Sequence, residues 1–124
     1  MVNAIRELLA APEGHELVIA DASQIEPRVL AWLAYQDDLL EKFARNEDTY
    51  CPFAEKVVGV KVRKPKKDGI PAIEARHKFN RNQIGKTGIL GCGYGMGAEK
   101  TQAYTKGAID FATADRIVRT YRQE

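Results

Sequence analysis

The chain has 124 residues, 44% apolar and 29% charged, with a formal net charge of +2, so it is one domain able to bury roughly two-thirds of its unfolded surface. No apolar run approaches the ~18 residues of a membrane span, and Arg6, Glu7 and Glu13 interrupt any apolar leader. Cys51 and Cys92 lie far apart and outside any Cys-x-x-Cys pair, which reads as two reduced thiols in a cytoplasmic protein and not as a disulfide or a zinc site.

Residues 4–10 (AIRELLA) carry a short amphipathic helical pattern, and Pro12, Glu13 and Gly14 make a turn. Glu16 to Asp21 (ELVIAD) is too short for a helix and rich in Leu, Val and Ile, so it predicts a buried strand. A helix follows, with Pro27 in its first turn, where the missing N–H costs nothing. Val29, Leu30, Trp32 and Leu33 give it an apolar face and carry it to about Gln36. Asp37 is the expected N-cap of a second short helix with Leu39, Leu40 and Phe43 inward. A further helix begins after Pro52 and ends near Gly59.

Residues 60–75 (VKVRKPKKDGIPAIEA), with two prolines, one glycine and four lysines, predict an extended, mobile basic loop. A long helix is expected from about Arg76 to Leu90, broken by GCGYGMG. The last helix starts near Ala112, with Ala114, Ile117, Val118 and Tyr121 on one face and arginines on the other. One strand among five or six helices cannot form a sheet by itself. The expected fold class is therefore α+β, mostly helical, with the sheet incomplete.

Charge is distributed unevenly. Residues 1–60 hold 11 acids and 5 bases, residues 61–86 hold 9 bases and 2 acids, and residues 87–124 come to +1. Opposite poles in one small domain suit cations on one side and polyanions on the other. The plainer reading of the basic run is a solvated lysine-rich loop. Two glycine motifs fall short. Gly85–Thr87 ends like a P-loop, but the first glycine of that pattern is Asn80 and the preceding segment is helical. GYGMGA (93–98) fits a loose dinucleotide fingerprint without the strand before it.

Two stretches carry chemistry. Asp21 places a carboxylate at the end of an apolar run, a good position for a hard cation such as magnesium; a turn or capping aspartate is the alternative. In RNQIGKTGILGCGYGMG (81–97), Lys86, Leu90 and Tyr94 recur every four residues and share a helix face. Gly88 and Gly91 lie in that helix, each costing about 1 kcal/mol relative to alanine, so something flat or bulky comes close. A nucleoside triphosphate would suit this face, and tight packing against a neighbouring helix would explain the glycines equally well.

Together these stretches resemble motifs A and B of family A DNA polymerases, the DNA polymerase I type. DASQIEPRVLAWLA (21–34) resembles the motif A core D-x-S-Q-I-E-x-R, and KTGILGCGYG (86–95) resembles the fingers helix, a lysine followed eight residues later by Tyr-Gly. LGCGYGMG is most similar to the phage branch. The resemblance covers about Arg6 to Arg122 and implies one partial polymerase domain: a palm motif A region over 1–50, fingers over 51–111 with the basic loop 60–75, and a C-terminal helix over 112–124.

The resemblance implies that Asp21 and the Ala22 backbone carbonyl hold magnesium, with two ions in a complete enzyme. It implies that Glu26 stands beside the sugar of the incoming dNTP and excludes a 2′-hydroxyl, with Gln24 and Arg28 supporting the site through hydrogen bonds. Lys86, a catalytic residue with Asp21, would contact the triphosphate, and Tyr94 would pack near the nascent pair. Tyr50 lies where the family commonly has a phosphate-touching histidine; Leu90 would pack against the sugar. Arg28, Arg63, Lys64, Lys66, Lys67 and Tyr94 would meet primer–template DNA in the cytoplasm of a bacterial or phage-infected cell, with no membrane partner.

The departures are also specific. The family's arginine four residues before the lysine is Asn82 here, and Arg81 stands one place earlier, about 100° around an α-helix; Arg81 is taken as the nucleotide-binding residue that reaches the phosphates in its place. Leu90 replaces the usual aromatic residue and cannot stack. Neither His15 nor His77 is followed by Asp-Glu, so the family's second aspartate motif, HDE, does not occur in the 124 residues. The expectation is a catalytically incompetent segment whose partner is the remainder of the polymerase or a second copy. Its strand would lack the hairpin that carries HDE. A non-catalytic nucleic-acid-binding remnant and a small phosphate-binding protein using Lys86 remain the alternatives.

Overall fold

A computed structural model describes residues 8–123. Most of the expected helix at residues 4–10 lies outside this range, and residues 8–10 are not helical. Among the described residues there is no strand. The run Glu16–Asp21 has no ladder partner, and Val18 and Ile19 are 85% and 84% exposed. The expectation of a buried strand is therefore corrected: its apolar residues fit a sheet, but no second segment offers the backbone groups that would pair with it.

The regular elements of the described residues are helices. α1 (Ile25–Leu33) has Pro27 in its first turn and stops three residues before Gln36, because Tyr35 turns left-handed at φ 55°. α2 (Asp37–Ala44) takes Asp37 as its first helical residue, with Gln36 at the cap; Phe43 is buried, while Leu39 and Leu40 are half-buried. α3 (Tyr50–Val58) begins before Pro52 and ends at Gly59.

The basic segment is irregular only to Ile70, because Pro71 opens α4 (Pro71–Phe79). The loop is anchored. Glu74, almost fully buried, accepts hydrogen bonds from Arg63 Nη1 at 2.8 Å and from the Lys66 backbone N–H at 2.6 Å. The Arg63 hydrogen bond is the leading cause that draws the Glu74 carboxyl down to about 2.

The expected long helix is present but not uniform. α4 runs into a π-helical segment (Asn80–Lys86) and then α5 (Thr87–Gly93), ending at the glycine-rich stretch. A short helix that sequence reading missed, α6 (Ala98–Tyr104), precedes α7 (Phe111–Gln123). The π segment packs on α3, α7 packs on α6, α5 and α3, and α1 packs on α2 and α5.

The core gathers Phe53, Ala54 and Val57 of α3, Ile84 of the π segment, Ile109, and Ala114 and Ile117 of α7. Tyr121 meets Phe53 edge-on at 6.3 Å. The glycines of the central helix serve this packing. A Cβ on Gly85 would stand 2.2 Å from the Tyr50 carbonyl oxygen, and one on Gly88 would stand 2.4 Å from the Phe53 ring. The flat group close to Gly88 is thus the chain's own phenylalanine. Among the described residues no helix is long and apolar enough to cross a membrane.

Candidate functional site

The segment that carries Asp21 meets the π segment of the central helix at a polar cleft. It is lined by Asp21, Gln24, Tyr50, Lys64, Arg81 and Lys86, together with Ser23, Asp48 and Asn82. Six residues singled out from sequence therefore share one depression, although they come from four separate stretches of chain. Arg81 is the informative member. In α-helical geometry it points away from the lysine face, but a π-helix closes its hydrogen bonds between residues five apart. Arg81 and Lys86 are five apart and line the same cleft. The change of helix type gives the physical reason that Arg81, one place before the family's arginine, shares the cleft with Lys86.

Asp48, which sequence reading missed, organises this cleft. Its Oδ1 accepts the backbone N–H groups of Tyr50 at 2.9 Å and Cys51 at 3.1 Å, fixing the start of α3. Its Oδ2 lies 2.8 Å from both Nε and Nη2 of Arg81 and 3.7 Å from Lys64 Nζ. Burial pushes the Asp48 carboxyl up, but the Arg81 and Cys51 hydrogen bonds and the charges of Arg81 and Lys64 outweigh it and leave the group below its ordinary value. The Arg81 guanidinium lies 5.2 Å over the Tyr50 ring, a cation–π contact. Burial is the first cause that raises the Tyr50 phenol. The only sequence signal for Asp48 was an acidic residue just ahead of a helix start.

Gln24 turns the chain into α1 at φ 55° and accepts a hydrogen bond from Thr49 Oγ1 at 3.1 Å. Arg28 donates to the Ser23 carbonyl at 3.0 Å and lies 5.0 Å over the Phe43 ring. It braces the turn below Asp21. Asp21 itself is exposed. The neighbouring Ala22 carbonyl already accepts the Ile25 N–H at 3.2 Å, which leaves it one further lone pair.

Glu26, Leu90 and Tyr94 do not line this cleft. They line an adjoining apolar groove between α1 and α5, with Pro27, Leu30 and Ile89. Lys86, Leu90 and Tyr94 are thus divided between two neighbouring depressions. At the groove the charge of Glu26, followed by desolvation and a hydrogen bond between the two side chains, raises the Tyr94 phenol above its ordinary value. Of the basic loop, Lys64 reaches the cleft, Arg63 is committed to Glu74, and Lys66 and Lys67 are exposed away from it. Both cysteines are free, and burial pushes the Cys51 thiol up to about 11.

The cleft sets the cationic side chains of Lys64, Arg81 and Lys86 beside the exposed Asp21 carboxylate. Among the described residues no three potential metal-binding side chains come together. Asp21 and the Ala22 carbonyl are hard oxygen groups of the kind that could hold magnesium, and two such donors are only part of an octahedral shell.

Comparison with known proteins follows the same residues. The sequence profile of DNA polymerase family A matches residues 1–124. DNA polymerase I of Pseudomonas aeruginosa is 45% identical over 56 residues, 45% of this chain and 6% of that protein. DNA polymerase I of Caldicellulosiruptor bescii is 38% identical over 58 residues, 47% of this chain and 7% of the relative. DNA polymerase I of Chloroflexus aurantiacus is 31% identical over 94 residues, 76% of this chain and 9% of the relative. The chain thus spans less than a tenth of the length of these relatives, and no solved structure matches it. With its motif A turn and its lysine helix meeting at one cleft, and with the profile matching from end to end, the chain belongs to DNA polymerase family A.

Proposed function

We propose that this chain is the nucleotide-binding segment of a template-directed DNA polymerase that adds dNTPs to a primer 3′-hydroxyl. The observation that carries the reading is the meeting of Asp21 with Lys86 and Arg81 in one cleft. Phosphoryl transfer needs positioning and charge neutralisation more than covalent help from the protein. Lys86 and Arg81 bind the triphosphate, and the Tyr50 phenol offers a neutral donor beside them. Asp21 and the Ala22 carbonyl would hold magnesium. When bound, magnesium supplies activation of the attacking hydroxyl and neutralisation of the leaving pyrophosphate.

Gln24 and Arg28 hold the turn that carries Asp21. Glu26 and Tyr94 meet at the mouth of the groove, where Glu26 excludes a 2′-hydroxyl and Leu90 packs against the sugar. Arg63 shapes the basic loop, while Lys64, Lys66 and Lys67 supply sequence-independent attraction to DNA. The site of action is the cytoplasm of a bacterial or phage-infected cell.

A second reading has one observation in its favour. The described residues gather no complete metal-binding set, which suits a non-catalytic segment that holds nucleotide or nucleic acid. Both readings expect no primer extension from the 124 residues alone. Titration with a dNTP and magnesium tests the shared claim. Lys86→Ala removes a charge-assisted contact worth about 1.5–3 kcal/mol, so affinity falls about tenfold or more. Unchanged affinity in Lys86→Ala would sink the assignment of the cleft.

A further inference from the structure

We propose that a second cleft, at the α4 end of the central helix, binds a phosphate of single-stranded DNA. This rests on the reading that the chain works on DNA, and it assigns a contact surface that neither the motif residues nor the nucleotide cleft include. The cleft lies between the first residues of the basic loop and the last turns of α4. Lys61, Arg76, His77 and Asn80 line it, with Val60 and Ile73.

Three observations converge. Lys61 and Arg76 have no ion-pair or hydrogen-bond partner among the described residues, because the acid of this region, Glu74, is committed to Arg63 and the Lys66 N–H. Asn80 lines the cleft, and its carboxamide, open to solvent there, makes no hydrogen bond among the described residues. A carboxamide N–H₂ is a suitable donor to a phosphate oxygen. His77 also lines the cleft, and its Nδ1 is buried without a hydrogen-bond partner among the described residues.

The walls select a strand over a free anion. Val60 and Ile73 are 43% and 46% exposed beside the two cations, a combination of charge and apolar surface that suits a backbone phosphate with its sugar and an unstacked base. The two clefts are also continuous along the chain. Asn80 lines one and Arg81 the other; the basic loop gives Lys61 to the first and Lys64 to the second. A strand on this face would run beside the nucleotide cleft.

The test is the salt dependence of oligothymidylate binding by the 124-residue chain, read by fluorescence anisotropy. Losing one neutralised phosphate makes the slope of log affinity against log salt shallower by about 0.7 in Lys61→Ala/Arg76→Ala. Asn80→Asp, which keeps the shape and adds a repelling charge, weakens binding severalfold. Circular dichroism establishes that both variants keep the helical fold. Wild-type binding that both folded variants reproduce in affinity and slope would overturn this site alone. Absence of any salt-dependent binding by the wild type would overturn the DNA reading and this inference with it. Inorganic phosphate substituted for chloride at equal ionic strength leaves the difference between wild type and variants in place; its disappearance would make the cleft a free-anion site and refute the strand assignment.

Discussion

Gly85→Ala is the substitution with the clearest geometric consequence. The added Cβ would stand 2.2 Å from the Tyr50 carbonyl oxygen and 3.3 Å from the Ala54 Cβ. Real contacts of this kind stay beyond 3.0 Å, so α3 and the π segment must separate by at least about 0.8 Å. The opposing atom belongs to backbone, and no rotamer change relieves it. Overpacking of this kind costs about 1–3 kcal/mol, and a rigid neighbour argues for the upper end. Alanine returns about 1 kcal/mol of helix propensity. The net loss is therefore about 2 kcal/mol, which lowers the midpoint of thermal unfolding by roughly 8 °C in a domain of this size. Gly88→Ala meets side chains, the Phe53 ring at 2.4 Å and Ile117 at 3.0 Å, and not backbone, so it loses less. Thermal and urea unfolding of the two variants measure the difference. A Gly85→Ala protein as stable as wild type, or more stable, would refute the close approach of α3 to the π segment.

Two further outcomes follow from the ion pairs. Asp48→Ala removes the hydrogen bonds to Tyr50 N and Cys51 N and leaves Arg81 without its carboxylate; it costs about 1–3 kcal/mol, read as a lower urea midpoint. Glu74 has a folded-state pKa of about 2 against an ordinary 4.5, so its contribution is complete above pH 4.5 and is lost as the pH falls towards 2. Glu74→Gln therefore flattens the acid limb of the stability profile in that window; a limb as steep as wild type would contradict the anchored loop.

Apolar spacing made most helices legible. Ala114, Ile117 and Val118 marked the buried face of α7, and Phe43 that of α2. α6 escaped notice because its buried residue is a polar one, Thr101, whose hydroxyl bonds the Gly97 carbonyl. The run Glu16–Asp21 carried the composition of a strand, but composition cannot supply a pairing partner. The motif residues Asp21 and Lys86 were readable as types at a spacing. The register of Arg81 was not, because it depends on hydrogen bonds shifting from four to five residues along the helix. Asp48 was hidden for a related reason: its partner Arg81 is 33 residues away, so only the fold shows the pair.

The central claim is that the polar cleft holds the triphosphate of an incoming dNTP. The most direct measurement is the amide NMR spectrum of the 124-residue chain titrated with a dNTP and magnesium. The account predicts the largest changes at Gln24, Tyr50, Lys64, Arg81 and Lys86, with smaller ones at Glu26 and Tyr94. Changes confined to α6 and α7, or a spectrum that does not respond to the nucleotide, would contradict it.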